Sequence, residues 1–413
     1  MKSVWFLSFV AALGGVLFGY DTAVISGTVS AVAEKFGLDA MARGWYVGCA
    51  LVGSIAGVAV AGWLSDRFGR KPTMIFSSVL FSVSAIGCML CLGFADLVAY
   101  RIVGGVGIGI VSIVSPVYIS EIAPQKVRGT MVSLYQFAIT LGFVLAYLVN
   151  YLLLVHVRMD ELWRVMLGAE AVITLLFLAV ACLITESPRW LAARTAGGVV
   201  ERRIPWAELA KPGIVKAILI GCAIAVLGQF MGVNAVLYYG PDIFADAGFA
   251  AKESSFSTVL VGLVNMVSTI LAVCVIDRVG RKALIYFGVS LMIACLVAIG
   301  VMFRLHVTGF AFVALFLAYI FAQAVSISAV VFVLLSEMYP NKVRGVAMSV
   351  AGFALWIGTY LIGQFTPWCM ATLGSSGTFY FFAVMCVPYM LIMWRLVPET
   401  TGKSLEEIEG FWS

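Results

Sequence analysis

The chain has 413 residues, 62% of them hydrophobic and only 11% charged, and its mean hydropathy is +1.06. Soluble domains run at about 45–50% apolar and about 25% charged, so lipid must be the solvent for most of this sequence. The net charge of +5 sits in short basic clusters between apolar runs, which argues against a nucleic-acid-binding stripe and fits membrane topology.

Twelve runs reach the roughly 20 apolar residues that a membrane helix needs: 5–27, 45–65, 73–93, 97–119, 130–154, 163–185, 214–239, 256–276, 283–303, 309–336, 346–366 and 376–397. The first, from Trp5 to Gly27, is too long for a signal-peptide core and shows no clear cleavage site, so it reads as a retained helix. It carries Phe18 and Asp21. Run two ends in Asp66-Arg67-Phe68-Gly69-Arg70-Lys71; run four carries Arg101 and leads into Glu121 and Arg128-Gly129. Gln136 and Phe143 lie in run five. Glu170 lies in run six, which closes on Glu186-Ser187. The longest polar stretch follows, 186–213. Run seven then carries Gln229, Asn234, Tyr238 and Tyr239, and run eight carries Asn265. Phe332 lies in run ten and Trp356 in run eleven.

The loop motifs repeat. Asp277-Arg278-Val279-Gly280-Arg281-Lys282 follows run eight as the 66–71 motif follows run two. Glu337 to Arg344-Gly345 answers Glu121 to Arg128-Gly129, and Glu399-Thr400 answers Glu186-Ser187, at offsets of 211, 216 and 213 residues. The expected organisation is therefore an N-terminal six-helix bundle (1–185), a cytoplasmic linker (186–213) and a C-terminal six-helix bundle with a short tail (214–413). Nineteen Lys and Arg fall in the loops on the side of the termini and five on the other, which places both termini in the cytoplasm. The nine cysteines lie in or beside apolar runs with no CxxC, and the two histidines, His156 and His306, stand in separate loops. Neither a disulfide framework nor a metal site is expected.

Taken in order, GGVLFGYDTAVISG (14–27), GWLSDRFGRK (62–71), RIVGGVGIGI (101–110), SPVYISEIAPQKVRG (115–129), ESPRWL (186–191), GQFMGVNAVLYY (228–239), DRVGRK (277–282), LLSEMYPNKVRG (334–345) and PETTGKSLEE (398–407) cover nearly the whole chain. This set resembles the sugar porter family of the major facilitator superfamily, with helices one and five nearest in pattern to bacterial xylose–proton symporters. The resemblance implies an all-α membrane protein of twelve helices in two pseudo-symmetric bundles. It also implies secondary transport of a monosaccharide, pentose or hexose, coupled to protons by alternating access. The polar segment 186–213 is shorter than the helical insert usual in the family.

Three ionisable residues lie well inside apolar runs: Asp21, Arg101 and Glu170. A charge at the centre of a span costs about 2.5–3.5 kcal/mol on insertion scales, so each needs a partner or a role. At about 1.5 Å per residue all three fall in the outer half of the first bundle, roughly 6–10 Å from its edge, where Asp21 and Arg101 can pair. A permanent structural ion pair is one reading of them. The resemblance implies another, Asp21 as proton site with Arg101 as partner, and Glu170 is read as auxiliary; facilitative relatives lack the acid.

A sugar needs carboxamides for its hydroxyls and aromatic faces for its C–H side. Gln136, Gln229, Asn234 and Asn265 supply the former, and Phe18, Tyr238, Tyr239 and Trp356 the latter. Isolated amides also join helices in membranes. Gln229 and Asn234 are five apart, about 140° on a straight helix, so their convergence needs an irregularity, for which Gly228 and Gly232 are candidates. By the resemblance Phe18, Gln136, Gln229, Asn234, Tyr238, Asn265 and Trp356 sit at sugar-contacting positions. Gly228 stands in place of a glutamine, Phe332 of a tryptophan, Ser328 of a glycine, Leu355 of a polar residue and Phe143 of a second glutamine.

The loop charges Asp66, Arg70, Glu121, Arg128 and Glu186, with Asp277, Arg281, Glu337, Arg344 and Glu399, are expected to form a cytoplasmic gate. Their basic members also serve as topology determinants. No nucleophile–base pair marks an enzyme, and no cofactor or nucleic-acid partner is indicated. Only sixteen residues follow the last run, against the long signalling tail of a sugar sensor, and there is no NxS/T sequon. The expectation is a monomeric, multi-pass protein of a bacterial inner membrane whose partners are a sugar, protons and the bilayer.

Overall fold

The computed structural model describes residues 4–124, 127–195, 206–340 and 343–397. Every regular element within them is helical. The chain forms two compact units. One comprises Met1–Glu201 with Tyr238–Asp242 and Ala251–Gly262, and the other Arg202–Leu237, Ile243–Ala250 and Leu263–Ser413.

The first unit contains α1 (Val4–Val24), α2 (Val29–Phe36), α3 (Ala40–Phe68), α4 (Arg70–Leu90), α5 (Phe94–Ile122), α6 (Arg128–His156), α7 (Leu162–Gly168), α8 (Glu170–Leu183) and α9 (Pro188–Thr195). Lipid offers helices no hydrophobic drive to associate, so close van der Waals contact between small residues must hold them. Helices α3 and α5 meet along two glycine pairs, Gly53 and Gly57 facing Gly105 and Gly109. A Cβ on Gly105 would overlap the Ala50 carbonyl, and one on Gly109 the Ser54 carbonyl. Helices α1 and α6 cross in the same way at Gly19 and Gly142. Asn150 of α6 donates 3.0 Å to the Val24 carbonyl at the end of α1, satisfying a helix-terminal acceptor.

In the first unit two short helices stand where the hydropathy pattern shows only loop. Helix α2 is amphipathic and buries Val29, Val32 and Ala33. Its Lys35 pairs with Glu161 at 2.7 Å, while Glu161 also takes Arg164 Nε at 2.5 Å. Helix α9 occupies part of the 186–213 stretch, and Trp190 Nε1 on it donates to the Asp66 carbonyl at 2.8 Å. The Lys35 and Arg164 bonds hold the Glu161 carboxyl below its ordinary pKa. A carboxyl lowered on folding contributes stability above its unfolded pKa of about 4.3 and loses it as pH falls through the folded value. Glu161→Gln is therefore expected to lower the melting temperature slightly at pH 7 and to converge on the parent as the pH falls through the lowered folded value. Equal melting temperatures at pH 7 would remove this contribution.

The second unit contains α10 (Trp206–Leu209), α11 (Pro212–Phe230), most of α12 (Val233–Asp246) and of α13 (Ala251–Val279), α14 (Arg281–Arg304), α15 (Phe310–Gln323), a π-helical turn (Ala324–Ser328), α16 (Ala329–Met338) and α17 (Arg344–Arg395). Runs eleven and twelve merge into α17, a 52-residue helix broken at Gly374, where φ is 71° and ψ 167°. The eleven long apolar helices thus correspond to the twelve runs. Helix α5 begins at Phe94, which sets Arg101 about 10 Å inside the span, deeper than the run boundary suggests.

Candidate functional site

In the first unit Asp21 of α1 and Arg101 of α5 form an ion pair with 1% and 3% side-chain exposure. Asp21 Oδ1 takes the Arg101 Nη1 donor, and Asp21 Oδ2 has no hydrogen-bond partner. The unpartnered oxygen faces Gly104, one turn beyond Arg101; even an added Cβ there would lie 3.6 Å away. Glu170, the first residue of α8, is equally buried, and its carboxyl lies within electrostatic reach of both Asp21 and Arg101. Its Oε1 also lacks a hydrogen-bond partner. The structure thus brings all three expected residues into one buried cluster.

In the second unit the helix breaks between α11 and α12 at Gly232, whose φ of 90° is open to glycine and strained for other residues. Gly228 stays helical. The break swings Asn234 back so that its Nδ2 donates to Gln229 Oε1 at 2.7 Å, and Thr359 Oγ1 of α17 donates to the same oxygen at 3.3 Å. A second irregularity follows at Tyr239 (φ −119°, ψ 17°), two residues before Pro241, whose ring cannot donate to a helical carbonyl.

The remaining expected sugar residues are distributed over both units. Phe18 (half-buried), Gln136 (exposed) and Tyr238 (buried) belong to the first. Asn265 (buried), Trp356 (half-buried) and Phe332 (51% exposed) belong to the second. Thr359, Gln323 and Ser328 were not among the expected residues, yet Ser328 Oγ donates to Gln323 Oε1 at 3.1 Å. Gln323 meets the rule that selected the other carboxamides, an amide inside an apolar run. A cavity of about 300 Å³ lies elsewhere, lined by Leu64, Phe68, Pro72, Thr73 and Phe76, and includes none of these residues.

At Gly228 an added Cβ would lie 3.4 Å from Ile327 Cγ2 and 3.8 Å from the Tyr389 ring, ordinary contact distances. Gly228→Ala is therefore expected to be accommodated and to raise helix stability by about 0.5–1 kcal/mol, read as a higher melting temperature in detergent. A lower one would show that the site is closed to a methyl group.

The loop charges form compact sets inside each unit. Arg70 is bidentate on Glu121, at 3.0 and 2.9 Å, and its Nη1 reaches Asp66 Oδ1 at 3.0 Å and the Ser65 carbonyl at 2.9 Å. Glu186 accepts the backbone N–H of Arg70 at 3.0 Å and of Lys71 at 3.2 Å, capping the start of α4. In the second unit Arg281 Nη2 donates to Glu337 Oε1 at 2.9 Å, and Arg344 Nε to the Tyr339 carbonyl at 3.2 Å. The repeat extends to the lysines: Lys71 Nζ reaches the Cys182 carbonyl at 2.8 Å and Lys282 Nζ that of Val397 at 2.9 Å. Glu399 and the side chains of Arg128 and Asp277 lie outside the described residues.

The profile of the sugar (and other) transporter family matches residues 7–198 and 196–412. The arabinose-proton symporter of Bacillus subtilis (strain 168) is 36% identical, over 100% of this chain and 96% of that protein. The D-xylose-proton symporter of Escherichia coli (strain K12) is 35% identical, over 99% and 96%. The inward-open structure of the xylose transporter XylE from E. coli superposes with a TM-score of 0.89 at 34% identity, covering 100% of both chains. This multi-pass, twelve-helix membrane protein therefore belongs to the sugar transporter family and has the major facilitator fold.

Proposed function

We propose that this chain is a proton-coupled monosaccharide symporter working by alternating access. The observation that carries the reading is the buried Asp21–Arg101 pair with Glu170 beside it. One guanidinium and two carboxyls are electrically neutral only when one carboxyl holds a proton. Burial penalises any net charge, so the cluster favours one proton when closed to water and releases it when water enters. The unpartnered Asp21 Oδ2 gives that proton a place to bind.

Sugar hydroxyls are bound by the Gln229–Asn234–Thr359 set, with Gln136 and Asn265 as further amides. The rings of Phe18, Tyr238, Trp356 and Phe332 take the apolar face. The arabinose and xylose symporters among the relatives support a pentose as substrate, and the galactose-proton symporter of Escherichia coli (strain K12) supports a hexose. The charge sets around Arg70 and Arg281 bias the transport cycle from the cytoplasmic side, together with Arg128, Asp277, Arg344 and Glu399. In this reading the chain acts as a monomer in the inner membrane, both termini cytoplasmic, without cofactor or nucleic-acid partner.

The test is uptake of labelled D-xylose, L-arabinose and D-glucose into liposomes holding the purified chain, with and without an inward proton gradient. Accumulation above equilibrium that a protonophore collapses supports symport. Equilibration indifferent to pH assigns a uniporter and makes the Asp21 pair structural. Specific binding without uptake assigns a sensor.

A further inference from the structure

Gly232 permits the break in span seven without compelling it, because glycine takes either sign of φ at little cost. With Gly232 helical, α11 and α12 would join, and the Met231 carbonyl would accept the Ala235 N–H four residues on. In the broken form the bonds run differently. Gly232 N–H turns back to the Gln229 carbonyl at 3.2 Å, and α12 starts with Val236 N–H on the Gly232 carbonyl at 3.2 Å. That leaves the Met231 carbonyl ahead of the first bond of α12. Met231 is fully buried, where an unpaired acceptor is costly.

The partner comes from another helix. Tyr319 of α15, also fully buried, donates its hydroxyl to the Met231 carbonyl at 2.7 Å. The Phe382 ring of α17 packs on the same break, where a Cβ on Gly232 would have to go. Neighbouring helices therefore hold the break, and the glycine only allows it. The effect reaches the amide pair. Positions five apart on a straight helix stand about 140° apart, so Asn234 Nδ2 meets Gln229 Oε1 at 2.7 Å only while span seven stays broken. The Tyr319 hydroxyl and the Ala235 N–H are rival donors to one carbonyl, and the winner sets whether Asn234 faces Gln229.

Resting on the symporter reading, we propose that Tyr319 is a positioning residue for the sugar, its hydroxyl keeping span seven broken at Gly232 and Asn234 turned to Gln229. Tyr319 acts through the backbone of Met231 and Gly232, and the amide pair makes the contact. Without the hydroxyl, the buried carbonyl is satisfied by closing the helix, which rotates Asn234 away.

The experiment measures calorimetric binding of D-xylose, L-arabinose, D-glucose and their monodeoxy analogues to the purified full chain in detergent. Parent, Tyr319→Phe, Tyr389→Phe and Gln229→Leu are compared. Tyr319→Phe is expected to weaken the preferred sugar about threefold to tenfold, the worth of one neutral hydrogen bond. The analogue that Gln229→Leu affects least identifies the hydroxyl held by the amide pair. That analogue should bind Tyr319→Phe and the parent equally, a result that general loosening of the fold would not give. Tyr389→Phe removes a buried hydroxyl of α17 that has no hydrogen-bond partner among the described residues, and should match the parent. Thermal unfolding checks that each variant is folded, and Tyr319→Met, flexible enough to fill the space of the ring, stands in if Tyr319→Phe is not. Affinity unchanged in folded Tyr319→Phe, lowered alike for every analogue, or lowered equally in Tyr389→Phe overturns this proposal. With binding weakened in Gln229→Leu, that result leaves the symporter site standing. Unchanged binding in Gln229→Leu, or no binding of any of these sugars to the parent, overturns the site itself and this proposal with it.

Discussion

Asp21→Asn is expected to abolish uphill sugar accumulation while leaving exchange of sugar across the membrane intact. One proton moving down a potential of 100 mV releases about 2.3 kcal/mol, enough for about 50-fold accumulation. An amide holds its dipole in every step but carries no exchangeable charge, so the accumulation ratio should fall from that range to one. The variant is expected to fold. Removing one member of a buried pair ordinarily costs about 3–5 kcal/mol because the other is stranded, but Glu170 remains within reach of Arg101 and supplies the counter-charge. Counterflow of labelled sugar into preloaded liposomes separates the two functions, since it needs the alternating site and no proton gradient. Gradient-driven accumulation retained in Asp21→Asn would exclude Asp21 as the coupling site. Loss of counterflow together with accumulation would make the pair a structural one.

Gly105→Val is expected to prevent folding or to lower stability by about 3 kcal/mol, the upper part of the range for overpacking. The atoms a side chain would meet are the Ala50 carbonyl and Cα, backbone of the neighbouring helix, so no rotamer change relieves the clash. Both helices would have to separate along the Gly53, Gly57, Gly105 and Gly109 seam, losing the contacts that hold them in lipid. Gly62→Ala on α3 is the matched control, because nothing lies within 4 Å of its added Cβ. Folded protein yield and melting temperature should fall for the first, and for the second should hold or rise by the small amount expected of Gly228→Ala. A Gly105→Val protein that melts with the parent would show that the seam has slack.

Several parts of this protein were written in the residue order. Runs of about twenty apolar residues can satisfy their backbone only as helices in lipid, so the spans were countable. The repeat of Asp66–Lys71 at Asp277–Lys282 extends to the backbone, since Gly69 and Gly280 both take positive φ. Depth along a helix follows from residue number, which placed Asp21, Arg101 and Glu170 at one level. Five-residue spacing required a break between Gln229 and Asn234, and the break is there.

Other features were settled only in three dimensions. Gly228 and Gly232 are alike in composition, and packing alone determined that Gly232 takes the positive φ. The π turn leaves no mark in hydropathy, since Ala324–Ser328 is as apolar as its neighbours; it follows from how the turn packs against Gly288 and Gly228. Gln323, an amide inside an apolar run, is legible in the sequence like the others; that Ser328 reaches it across the turn is not. Loop charges announced that acids and bases would meet. That Arg70 binds Glu121 at both oxygens, while Glu186 caps the helix Arg70 begins, depends on where three helices end in space. Hydropathy is a property of each residue and survives in the linear order. The choice of partner depends on distances between residues far apart in sequence, and only tertiary packing fixes those.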